Sequence, residues 1–140
     1  MNYSTTHMTL ADFMDFIEPV LQVPRYHLGY KTLLAGPAWT VRKDGKIICC
    51  YGFAPVSPGV AEAWMLMGEE AKVPLAALRE AKRVVRTVIE AKLYHRIQAA
   101  VNSTNDKHCS WVEHLGFRIE GAMEKFGAHG ETYFLYVILP

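Results

Sequence analysis

His108, Cys109 and His114 lie within seven residues of one another and carry the nitrogen and sulfur atoms that bind transition metals, with Glu113 four residues after Cys109. A zinc site needs such donors in closely spaced Cys or His pairs, so that a short turn can aim both at one ion. No such pair is present, and no metal is expected. Cys49 and Cys50 are adjacent, so in a strand they point to opposite faces and cannot bridge. With a third cysteine making the count odd, a disulfide framework is not expected. Arg79, Lys82, Arg83 and Arg86 form a basic stripe that could meet phosphates, although a charge run on a helix is more commonly a solvated face. Trp39, Trp64 and Trp111 could shape a ligand cleft or simply fill space in the core.

The overall field adds no preference. Fifteen Lys and Arg against fourteen Asp and Glu leave a formal net charge of +1, too little to steer the chain toward nucleic acid or an acidic membrane. Neither partner is expected. The opening MNYSTTHMTLADF lacks the charged start and apolar run of a signal peptide, and no stretch approaches eighteen consecutive apolar residues. A cytoplasmic protein follows as the expectation. With 140 residues, 51% of them hydrophobic, the chain can build one core, and a single domain over 1–140 is expected.

The elements that must position any site can be read from periodicity and punctuation. Thr9 ahead of Leu10, Phe13, Met14, Phe16 and Ile17 predicts a capped amphipathic helix that stops before Pro19. Pro24 to Pro37 has no clear pattern. Trp39–Arg42 and Lys46–Phe53 flank Lys43-Asp44-Gly45, and an Asp-Gly between apolar runs signals a hairpin. Val60–Met67, bounded by Pro58-Gly59 and Gly68, reads as a central strand. From Pro74 to Leu93, Leu78, Ala81, Val85, Val88, Ile89 and Lys92 share one arc opposite the basic stripe, which predicts a long amphipathic helix with Pro74 in its first turn. Arg96–Val101 then reads as a strand. A helix over Asn105–Leu115 is capped by Asn105 and closed by Gly116, and Phe117–Phe126 and Thr132–Leu139 form a last hairpin around Ala128-His129-Gly130. This alternation predicts a mixed α/β fold.

Val101-Asn102-Ser103-Thr104-Asn105, followed after six residues by Val112-Glu113-His114-Leu115-Gly116-Phe117, resembles the GNAT segment V-x-x-x-N-x-x-A-x-x-x-Y-x-x-x-G-F of the N-acetyltransferase superfamily. Glu120-Gly121, Gly130-Glu131-Thr132-Tyr133 and Tyr136–Leu139 are similar to that family's closing hairpin. The resemblance covers about Val60 to Leu139 and looks closest to small GNAT-like proteins of tailed phages, which would admit a virion location. It implies the GNAT, or acyl-CoA N-acyltransferase, fold, with a mixed central sheet flanked by helices.

The same resemblance implies acetyl-CoA as donor and an amine, of a small molecule or a protein, as acceptor, with a homodimer as one possible assembly. The family seats the donor's pyrophosphate in a Q/R-x-x-G-x-G/A loop at the start of the long helix, where backbone N–H groups meet phosphate. Here that loop falls on Val73 to Leu78. Val73 stands for the Gln or Arg, Ala76 for the first glycine and Leu78 for the second, with Ala77 between them. Glu69 and Glu70 nearby oppose a diphosphate and Lys72 partly offsets them. Asn105 is the matching asparagine beside the cofactor. Glu62 matches the family's general base, eleven residues before that loop, and the backbone of Met65, Leu66 and Met67 the oxyanion donor. The usual leaving-group acid is a Tyr four residues before the glycine, and Val112 stands there. His108, Cys109, Tyr133 or Tyr136 could replace it. Two readings follow: an N-acetyltransferase with Glu62 as base and His108 or Tyr133 as acid, or a catalytically degenerate GNAT-fold protein acting as a binding or phage structural component.

Overall fold

The computed structural model describes residues 2–17, 34–68 and 74–140. Seven strands form one mixed sheet, in the order β1-β2-β3-β4-β5-β7-β6. They are β1 (Tyr3–His7), β2 (Ala38–Lys43), β3 (Lys46–Ser57), β4 (Val60–Met67), β5 (Arg96–Asn102), β6 (Arg118–Met123) and β7 (Tyr133–Ile138). The helices are α1 (Leu10–Asp12), continued by a π-helical stretch Phe13–Ile17, then α2 (Leu75–Glu90) and α3 (Asp106–His114). The chain divides into two compact units, Met1–Pro55 with Ala63–Glu80, and Val56–Glu62 with Ala81–Pro140.

In the first unit the β2–β3 hairpin turns on Asp44 and Gly45, both at positive φ, the pairing that a two-residue turn of matching twist requires. Alternation then sends neighbouring side chains to opposite faces, and the two adjacent cysteines show it. Cys50 packs with Phe13, Ala38, Ala54, Trp64 and Leu66, whereas Cys49 packs with Val41 and Ala77. The sheet of this unit is thus covered on both sides. Strand β1 was not foreseen. Its Tyr-Ser-Thr-Thr-His carries no apolar alternation, but it pairs antiparallel with β2 from Tyr3↔Lys43 to His7↔Trp39.

Thr9 caps α1 as expected: its hydroxyl accepts from the Asp12 N–H while the Asp12 carboxylate accepts from the Thr9 N–H, a reciprocal capping box. Asp12 is buried, with 5% of its surface exposed, and does more than cap. The fully buried Thr40 hydroxyl donates to its Oδ2 at 2.9 Å, and Arg42 forms an ion pair with its Oδ1. Burial alone would raise the Asp12 pKa. The Thr9 and Thr40 hydrogen bonds and the Arg42 charge outweigh it and leave the carboxyl below its ordinary value.

Helix α2 buries Ala77, Val84, Val85 and Val88, a 3.6-residue stripe turned slightly from the predicted arc, so Leu78, Ala81 and Ile89 are only half-buried. It also ends earlier than Leu93. Lys92 adopts φ +55° and donates to the Ile89 carbonyl, which takes Lys92 off the helical face on which periodicity had placed it.

The second unit holds the start of β4 beside β5 in parallel register, from Val60↔Arg96 to Glu62↔Gln98. Strand β7 runs antiparallel to β5 from Ile97↔Ile138 to Asn102↔Tyr133, and β6 forms the sheet edge. Helix α3 closes as predicted. Gly116 sits at φ +104°, its N–H bonds to the Glu113 carbonyl and the Phe117 N–H to the Val112 carbonyl, which together make a Schellman cap.

Candidate functional site

Glu62 is half-buried on β4, where strand alternation puts it on the face opposite the fully buried Ala61. Its Oε1 accepts from Gln98 Nε2 at 3.1 Å, across the parallel register that pairs the two residues. Gln98 Oε1 in turn accepts from Arg96 Nε at 2.9 Å, and the Arg96 guanidinium grips Glu120 with two bonds, Nη1–Oε2 at 2.9 Å and Nη2–Oε1 at 2.6 Å. Gln98 and Arg96 escaped the sequence reading as site residues, and Glu120 entered it only as part of the closing hairpin. The available signal was the alternation of Arg96, Ile97 and Gln98, which places two polar residues on one face around a buried one.

Asn105, His108 and Tyr133 lie toward the far end of β5, whereas Tyr136 pairs with Ala99 beside Gln98. Asn102 pairs with Tyr133 and lies four residues beyond Gln98, roughly 13 Å along the strand. Asn105 caps α3 by accepting from the His108 N–H at 3.0 Å, and its side-chain amide meets His108 Nδ1 at 3.1 Å. Because the Asn105 oxygen is engaged by that N–H, its NH2 must be the donor, so Nδ1 accepts and Nε2 carries the proton. Burial first, and the neighbouring Lys107 charge second, lower the His108 pKa. The ring is therefore neutral at pH 7 and offers an Nε2–H donor. It lies against Trp111, over which Lys107 Nζ sits 5.0 Å from the ring centre.

Tyr133 is half-buried with its ring against Phe126. Tyr136 is buried and donates its hydroxyl to Glu113 Oε2 at 3.1 Å. Burial, with Cys109 and Glu113 alongside, raises its pKa far above the usual phenol range. Cys109 itself donates to the Asn102 carbonyl. Val112 is half-buried on α3.

In the first unit Leu66 is buried in the core, while Met65 and Met67 are half-buried and Met67 packs beside Val41, Cys49 and Ala77. Their backbone belongs to β4. The N–H groups of Ala77 and Leu78 both bond to the Pro74 carbonyl, at 3.0 and 3.2 Å, so the first turn of α2 uses them itself. Ala76 is exposed, Ala77 buried and Leu78 half-buried. Val73, Glu69, Glu70 and Lys72 lie outside the described residues, as does most of the Pro24–Pro37 stretch. Trp39 stacks on Tyr51 and meets His7, and Trp64 lies in the core with its indole N–H buried and without a hydrogen-bond partner among the described residues. Among the described residues no three His, Cys, Asp or Glu side chains converge as a metal site, and no helix is long and apolar enough to cross a membrane.

No protein-family model matches the sequence, and no curated protein matches it. Solved structures do. An acetyltransferase of the GNAT family from Streptococcus pneumoniae superposes with a TM-score of 0.77 at 12% identity, covering 99% of both chains. The chain has the GNAT fold. A GNAT-family acetyltransferase from Elizabethkingia anophelis with acetyl-CoA bound gives 0.74 at 16% identity, again over 99% of each chain. Spermidine N-acetyltransferase from Vibrio cholerae in complex with CoA and spermine gives 0.73 at 15%, over 98% of this chain and 95% of that one. Glu62 stands on β4 of this fold.

Proposed function

We propose that this chain is an N-acetyltransferase, acting as one domain over residues 1–140, that moves an acetyl group from acetyl-CoA to an amine of a small molecule or a protein. The observation that carries the reading is Glu62, a half-buried carboxylate held by Gln98 on β4 of a GNAT fold. Glu62 takes the amine proton through water, and the freed nitrogen lone pair attacks the thioester carbonyl. Backbone N–H groups of Met65–Met67 receive the developing oxyanion. As the carbon–sulfur bond breaks, the thiolate takes a proton from Tyr133, with the His108 Nε2–H as a hydrogen-bond donor at the same end of β5, and the extra proton on the acylated nitrogen leaves through water, which restores the Tyr133 phenol and yields the neutral amide. The resemblance assigns the donor's phosphates to the N-terminal turn of α2, near the exposed Ala76, and gives Asn105 as a cofactor residue.

A seat with Leu78 in place of glycine and two of its amides already bonded to Pro74 supports weak binding. Titration calorimetry with acetyl-CoA is expected to give a Kd of about 10 μM to 1 mM that weakens as salt is raised. Submicromolar affinity would show the phosphate seat to be misread, and no heat at millimolar ligand would refute the acetyltransferase. With a working acceptor, Glu62→Gln is expected to lower kcat roughly ten- to a thousandfold and leave the melting temperature unchanged. Full activity in that variant removes Glu62 from the mechanism.

One observation favours a second reading. Val112, in place of the leaving-group Tyr, puts an aliphatic side chain on α3 where the superfamily has its commonest acid. A catalytically degenerate GNAT-fold protein, serving as a binding or phage structural component, would bear that substitution without cost. Retained acetyl-CoA binding with no acetylation of any amine tested would select it.

A further inference from the structure

The row Glu62, Gln98, Arg96, Glu120 is longer than a strand-end carboxylate needs, and the chemistry of its members fixes the direction of every bond. Arginine only donates, so the Gln98 side-chain oxygen must face Arg96 Nε at 2.9 Å. The Gln98 NH2 is thereby aimed at Glu62, where it meets Oε1 at 3.1 Å. An ionised carboxylate only accepts, so the two ends agree. Were Arg96 free to swing, the Gln98 amide could flip and present oxygen to oxygen.

Arg96 is kept from swinging by the edge strand. The β6–β7 register advances from Ile119↔Tyr136 to Gly121↔Leu135, which leaves Glu120 as the extra residue of a β-bulge. A bulge re-aims the side chain it carries. Here it delivers the Glu120 carboxylate to both terminal nitrogens of Arg96, at 2.9 and 2.6 Å. The Arg96 and Glu120 side chains are 25% and 37% exposed, and a pair so solvated adds little to stability. What a two-pronged guanidinium–carboxylate contact does supply is a fixed plane.

We propose that Gln98 is a positioning residue for Glu62, locked in orientation by an Arg96–Glu120 clamp that the β6 bulge creates. The proposal rests on the reading of Glu62 as base. One amide bond to Oε1 sets the rotation of the carboxylate while using only one of its two oxygens. The neutral glutamine also keeps the Arg96 charge, already matched by Glu120, out of direct contact with Glu62.

Two measurements separate this proposal from the acetyltransferase reading. The first needs no turnover. In 15N-labelled protein the Gln98 side-chain NH2 signals, identified by their loss in Gln98→Met, are expected to lie away from those of solvated glutamine and to exchange slowly. They should return to the solvated position in Arg96→Met, and move toward it in Glu120→Gln. Signals already at the solvated position, or unmoved in both variants, would overturn the clamp.

The second is a double-mutant cycle with acetyl-CoA and a panel of amines, a polyamine and a lysine peptide among them. Gln98→Met is expected to lower kcat roughly tenfold with an unchanged KM for acetyl-CoA, and to cause no further loss when added to Glu62→Gln. Equal losses in both backgrounds would mark Gln98 as merely structural and sink the proposal. A Glu62→Gln enzyme as fast as wild type, or absence of turnover with every amine, defeats the base reading and with it any service of Gln98 to catalysis. The amide signals then decide by themselves whether the clamp exists.

Discussion

Replacing Asp12 by alanine removes one small side chain on which three residues, Thr9, Thr40 and Arg42, converge, and its cost can be worked from the partners left behind. The Thr40 hydroxyl is fully buried and would keep only the Cys50 sulfur, 3.7 Å away. An unsatisfied buried hydroxyl costs about 1–3 kcal/mol. Thr9 still caps through the N–H of residue 12, and only its own N–H loses the carboxylate, which adds about 0.5–1 kcal/mol. Arg42 retains Thr6 as a partner and its side chain is 26% exposed, so the broken ion pair adds no more than about 1 kcal/mol. The sum is about 1.5–5 kcal/mol, roughly 5–17 °C in Tm for a chain of this size. Urea unfolding followed by tryptophan fluorescence should show it, since Trp64 packs in the same core cluster as Phe13.

Arg42→Met spares Thr40 and the cap but leaves the buried Asp12 carboxylate without its counter-charge, and should cost about 1–3 kcal/mol. The pH dependence has a defined sign. The folded-state pKa of Asp12 is lowered from 3.8, so its contribution is complete above that value and is lost as pH falls through the lower folded-state value. Asp12→Ala within about 1 kcal/mol of wild type at pH 7, or a difference between the two proteins that grows on acidification, would refute the argument.

Gly116→Ala should destabilise by about 1 kcal/mol or more through backbone strain alone, because φ is +104° and an added Cβ meets nothing within 4 Å; equal urea midpoints would count against the left-handed cap. Cys49 and Cys50 should resist alkylation at pH 8 in the native protein and react on unfolding. Burial first, and for Cys49 the neighbouring Cys50, push their pKa values up to about 12 and about 11. Rapid native labelling of either, read by peptide mass spectrometry, would contradict that. Raising ionic strength should leave Asp12→Ala and wild type separated by nearly the same energy, since the larger share of the loss is a buried hydrogen bond that salt does not screen.

What could be read from the sequence was whatever depends on local chemistry. Asp44-Gly45 specifies its turn, Thr9 and Asn105 their caps, and Gly116 its positive φ, because each needs only its neighbours to explain it. Strand β1 was missed for the opposite reason. Its residues are held by pairing with β2, and a polar edge strand carries no burial pattern of its own. The end of α2 was overrun because Lys92 continues the helical spacing while its backbone has left the helix. Glu62 was legible as a candidate through family resemblance, yet its direct partner Gln98 is thirty-six residues away and the rest of the row comes from two further positions on β5 and β6. No periodicity reports a row assembled across strands.

The contrast between these two kinds of residue bears on what the GNAT-like segment means. Asn105 caps α3, Gly116 and the Val112 carbonyl close it, Phe117 fills the core and Val101 is buried in β5, so these four matched positions are explained by folding alone. A chain that had lost its chemistry would be expected to keep them. The Glu62 row is different. The buried neighbours Ala61 and Ile97 satisfy the core without help from the polar residues on the other face, and the solvated Arg96–Glu120 pair contributes little energy. Folding does not require a bulge that aims Glu120 at Arg96, nor an amide turned toward Glu62. If the chain works as an enzyme, this row and not the family segment is where the requirement for catalysis is written.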